Sequence, residues 1–166
     1  MRQLIAFPAL ALAVILQSAI VSRITLLSGF ADLVLVVVVA WALQEGVTSA
    51  WHWSVLAGIA TASISGLPWW APLSGFLAAT LLARFVQRRI WQAPLLAMFA
   101  VTFFASMFSY FISYAALALM GASMPLTDSF TLVILPSALL NLLFSIPVFW
   151  LTRDLSRWVN PVEEEE

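Results

Sequence analysis

Cysteine and lysine are both missing from these 166 residues. Without cysteine there is no disulfide, no thiolate metal site and no cysteine nucleophile. The single histidine, His52, cannot build a multi-histidine metal site, and no cofactor is expected. Charge is scarce as well, at 9% of residues against about 25% in an average soluble domain. The basic residues are all arginines: Arg2, Arg23, Arg84, Arg88, Arg89, Arg153 and Arg157. No glycine-rich phosphate loop, no HExxH and no scaffolded Ser-His-Asp set occurs, so an enzyme is not expected.

What is present is apolar. Residues of this kind make up 63% of the chain, against about 45–50% in soluble domains. No water-soluble fold of this length could hide that much apolar surface, so the solvent must be lipid. In lipid, backbone groups must bond within the segment, and long apolar runs then mean helices. Six runs are read: Leu4–Ser22, Leu33–Leu43, Trp51–Ile64, Trp70–Phe85, Ala93–Gly121 and Phe130–Leu151. The first could instead be a signal peptide. It is too long for a typical apolar core of one, and Gln17-Ser18-Ala19 is a poor cleavage site. Runs two to four fall short of the roughly 20 residues of a perpendicular span. Runs two and three could alternatively form a re-entrant pair.

Placement of charge orients the chain. With six spans and both ends cytoplasmic, six arginines lie inside and only Arg23 outside, as the positive-inside rule requires. Trp41, Trp51, Trp53, Trp69, Trp70, Trp91, Trp150 and Trp158 all fall near run ends, where tryptophan anchors at the headgroup level. Residues 1–158 are expected to form one transmembrane domain. Residues 159–166, ending in the Glu163–Glu166 run, are expected to be a disordered acidic cytoplasmic tail.

Several faces carry small or hydroxylated side chains. Ser54, Gly58 and Thr61 lie on the third run, Gly75, Ala79 and Ala83 on the fourth, and Thr102, Ser106, Ser109 and Ser113 on the fifth. Small faces let helix backbones approach each other in lipid. They predict packing between helices, or a groove for a partner's helix. The sixth run carries Ser137 and Asn141, and Pro136 and Pro147 free the carbonyls of Leu132 and Leu143. Gln17 is the natural partner for Asn141, as a clamp or as the polar lining of a pocket. Asp32 and Asp128 precede helices and are read as N-terminal caps. Arg84, Arg88 and Arg89 form a cytoplasmic basic patch suited to anionic lipid.

The pattern resembles the bacterial rod shape-determining MreD family over nearly the whole chain. The resemblance rests on size, six-run layout and local features. These are Pro8 with Gln17, Asp32-Leu33-Val34-Leu35 opening an apolar helix, Gly46 after it, Ala57-Gly58 followed by Ser65-Gly66-Leu67-Pro68, and Pro136 with Asn141. The family often carries an acid just before the Ser-Gly turn, where this chain reads Ala60-Thr61-Ala62-Ser63. The resemblance implies an all-α, polytopic membrane protein of about six transmembrane helices. Its fold would be similar to the substrate-binding component of energy-coupling-factor transporters. It further implies a non-enzymatic inner-membrane subunit of the elongation machinery that binds MreC. RodA with its class B penicillin-binding protein, and indirectly MreB, would be further partners. No nucleic-acid partner is implied, and a homo-oligomer is left open. The alternative is a substrate-capture subunit of an energy-coupling-factor vitamin transporter.

Overall fold

The computed structural model describes residues 6–19, 23–45, 47–89, 93–122 and 124–159. Among these the chain is all-helical apart from one small hairpin. The helices are α1 (Ala6–Ala19), α2 (Leu33–Ala42), α3 (Ala50–Ser65), α4 (Trp70–Gln87), α5 (Pro94–Leu119) and α6 (Leu126–Val159). Two residues of β1 (Thr25–Leu26) pair antiparallel with two of β2 (Gly29–Phe30). Of the expected acidic tail, Val159 is instead the buried last residue of α6, while residues 160–166 with the Glu163–Glu166 run, and Arg2, Gly46 and Trp91, lie outside the described residues.

Two helices, α5 and α6, are long and apolar enough to cross a bilayer. At 1.5 Å per residue their 26 and 34 residues rise about 39 and 51 Å, more than the roughly 30 Å of a hydrocarbon core. Helix α6 outruns its apolar stretch at both ends. Pro125 stands at its N-cap, and at its far end Thr152, Ser156 and Val159 continue the buried stripe of Val148 and Phe149. The stripe keeps helical spacing after the sequence has turned polar, so packing holds the last two turns.

Helix α2 is the centre of the molecule and touches all five other helices. Nine of its ten residues are buried, which explains why its sequence shows no polar face. Half of it is valine, a poor helix former. Its helical state therefore rests on surroundings and on caps: Asp32 Oδ1 accepts from Leu35 N at 3.0 Å. The outer helices meet through small residues. A Cβ on Gly58 would come within 2.9 Å of Leu73 Cα, and one on Gly75 within 2.7 Å of Ser109 Oγ. The α3–α4 and α4–α5 contacts are thus too close for any larger side chain. Gly66, with φ at 68°, ends α3 in the left-handed conformation that glycine tolerates best.

Tryptophan placement needs one correction. Trp41 and Trp53 are buried and stacked at 4.4 Å inside the bundle, not at its surface. Trp41 Nε1 donates to Ser49 Oγ at 3.2 Å, so its polar edge is met by protein where a headgroup was expected. Trp51, Trp69, Trp70, Trp150 and Trp158 are exposed.

Candidate functional site

The polar residues of the bundle gather at the two ends of α2. At its N-terminal end an extended segment, residues 28–32, runs alongside α6. Ser28 N donates to Leu132 O at 3.0 Å, Phe30 N to Ser137 Oγ at 3.0 Å, and Asp32 N to Asn141 Oδ1 at 2.6 Å. Alternate N–H groups of an extended chain are about 6.6 Å apart. Four or five residues of helix advance about 6–7.5 Å. The two rises match, so each second amide finds an acceptor on α6.

Each acceptor has a cause in the sequence. Pro136 has no N–H for the Leu132 carbonyl, and a π-helical turn at Phe130–Ile134 precedes it. The freed carbonyl takes the hairpin amide instead. Gly29 permits the approach, because a Cβ there would lie 2.7 Å from Ser137 N. Asn141 Nδ2 donates to Ser106 Oγ at 2.8 Å and Tyr110 Oη at 3.3 Å. Tyr110 Oη in turn donates to Phe30 O at 3.3 Å. From the other side Gln17 Nε2 donates to Ala31 O at 2.7 Å, and Gln17 Oε1 accepts from Leu33 N at 2.6 Å. The clamp expected between Gln17 and Asn141 is therefore indirect. Both amides grip the backbone of Ala31–Leu33, because an unpaired peptide there would be the larger unsatisfied group.

The opposite end of α2 is held in a similar way. Gln44 Nε2 donates to Ala40 O at 3.1 Å and Thr152 Oγ1 at 3.4 Å. Gln87 Nε2 donates to Gln44 O at 2.9 Å. Arg84 donates to Val47 O and to Gln87 Oε1. Arg84 is thus a staple for the α2–α3 loop, leaving Arg88 and Arg89 as the exposed part of the basic patch. Arg89 lies over the Phe85 ring.

Beside the hairpin is a cavity of about 490 Å³. It is bounded by the end of α1, the last turn of α3, the start of α4, the second half of α5 and the first half of α6. Gln17, Asp32, Thr61, Ser109 and Ser113 line it, together with the rings of Phe30, Phe76, Tyr110 and Tyr114.

The small and polar residues read from the sequence thus separate into groups. Ser54, Gly58, Gly75, Ala79 and Ala83 are buried in packing within the chain, Ser54 Oγ also donating to Phe76 O and bonding Thr80 Oγ1. Gly58 and Gly75 leave no groove for a second chain, because Leu73 and Ser109 already occupy the space. Gln17, Ser106, Ser137 and Asn141 hold the lead-in to α2. Thr61, Ser109 and Ser113 face the cavity. Thr102 Oγ1 is buried and has no hydrogen-bond partner among the described residues.

Sequence reading missed Gly29, Tyr110, Gln44, Gln87 and Thr152. Tyr110 was the most accessible of these, since it lies one helical turn from Ser106 and is one of only two tyrosines. No protein-family model matches the chain, and no curated protein or solved structure does either.

Proposed function

We propose that this chain is a multi-span inner-membrane subunit of the bacterial elongation machinery, of the MreD kind, which binds MreC and helps organise peptidoglycan synthesis and rod shape. One observation carries the reading. Gln17, Asp32, Pro136 and Asn141, on which the resemblance rests, are far apart in the sequence yet converge on the α2 lead-in. Polar side chains there hold backbone, which suits a protein that acts as a rigid body for partners and does no chemistry itself.

In this reading all six helices cross the bilayer and both termini are cytoplasmic. The shorter α2 is sheathed by the other helices, and its non-helical flanks are paired with protein groups, as backbone at membrane depth requires. Arg88, Arg89, Arg153 and Arg157 would face the cytoplasm and anionic lipid. RodA with its class B penicillin-binding protein, and indirectly MreB, are further proposed partners. MreC's transmembrane helix would dock on an outward apolar face, since Leu73 and Ser109 already occupy the space at Gly58 and Gly75. The face of α5 with Phe104, Phe108 and Phe111 is one such surface.

The test is co-expression with MreC from the same genome. Co-purification in mild detergent is expected, with photocrosslinks from at least one outward position such as Phe108 or Leu139. Absence of a complex and of crosslinks from every outward face would overturn the reading. The cavity favours a second reading, a substrate-capture subunit of a vitamin transporter; tight retention of a vitamin by the purified protein would promote it.

A further inference from the structure

Some of the polar groups that line the cavity are not engaged in holding backbone. Among the described residues that line it, Asp32 is the one carboxylate, and none is an arginine or histidine. Its Oδ1 caps α2 through Leu35 N, and beyond that backbone contact the described residues supply no cation to an acidic group beside apolar walls. Phe30, Phe76, Tyr110 and Tyr114 contribute aromatic rings to the same walls, and ring faces attract organic ammonium groups. Thr61 and the buried Ser129 also line it, and among the described residues no partner is found for either hydroxyl. The volume of about 490 Å³ falls in the range of small-molecule sites.

We propose that this cavity is a binding site for an amphiphilic organic cation, an ammonium group carried on an apolar or aromatic body, with Asp32 facing the charge. The lining excludes the other ligand charge. Phosphate or carboxylate would meet Asp32 with no arginine among the described lining residues to bind it. A sugar would find mainly apolar walls where it needs many hydrogen bonds. The occupant is therefore not a lipid phosphate. A site of this kind is independent of whether the chain binds MreC.

The experiment uses the full chain in detergent and three probes of similar size: benzyltrimethylammonium, neutral neopentylbenzene and anionic benzenesulfonate. Equilibrium dialysis is expected to show saturable binding of the cation, one per chain, at least tenfold tighter than either comparison probe. Asp32→Asn retains a side-chain oxygen for the Leu35 cap and is expected to weaken cation binding at least tenfold. Thr61→Trp fills the cavity from its α3 wall and is expected to abolish it. Equal binding of neopentylbenzene would mean an apolar, lipid-filled void and would overturn the proposal. So would absence of saturable cation binding, or unchanged affinity in Asp32→Asn. If Asp32→Asn does not fold, the probe comparison and Thr61→Trp decide alone. Loss of MreC co-purification leaves these titrations unaffected, so the two failures are distinguishable.

Discussion

Asn141 shows how much one side chain can hold in an apolar interior. Its carboxamide accepts from Asp32 N and donates to Ser106 and Tyr110. Removing it strands at least one buried backbone N–H, at a cost of about 1–3 kcal/mol for each orphaned group. Asn141→Leu should therefore lower the unfolding midpoint in detergent, while Leu139→Ala on the outward face of the same helix should barely move it. Gly29 makes a related point by having no side chain. Gly29→Ala would place a Cβ 2.7 Å from Ser137 N. Overpacking of this sort costs about 1–3 kcal/mol. The hairpin should lift from α6, and hydrogen exchange should be faster at the Ser28, Phe30 and Asp32 amides.

At the scale of elements, α2 is short, valine-rich and central, and its two flanks are held by separate sets of side chains. Neutral amides and hydroxyls hold the hairpin side. Arg84, Gln87 and Gln44 hold the loop side. The flanks should therefore fail separately. Arg84→Ala should speed exchange at residues 44–49 and leave the hairpin amides protected, which hydrogen-exchange mass spectrometry can read. Pro136→Ala restores an N–H that competes for Leu132 O. It should loosen Ser28 in preference to Asp32, since Asn141 still holds the latter. The six helical segments were legible in the sequence because apolar runs are long and their breaks are polar. The hairpin was not. Residues 24–32 have no repeating pattern of their own, and their amides pair with α6 residues more than a hundred positions away.

For the whole molecule, the proposed orientation has a direct check. The chain contains no cysteine, so single cysteines report without background. Ser65→Cys and Met124→Cys should react with a membrane-impermeant maleimide from outside the cell. Arg88→Cys and Arg157→Cys should react only after lysis. Labelling of either arginine position in intact cells would overturn the six-span arrangement. The sequence by itself determined that this chain is apolar and helical, because both follow from composition and run length. It also picked out Gln17, Ser137 and Asn141, since an amide or hydroxyl in an apolar run must find a partner. Only the tertiary structure decided that α2 is the core, that Trp41 and Trp53 point inward, and that Gly58 and Gly75 are packed within the chain while Thr61, Ser109 and Ser113 face a cavity. The physical reason is that lipid and protein interior are both apolar. Hydropathy cannot tell an inward face from an outward one, and the polar contacts that can tell them apart join residues far apart in the sequence.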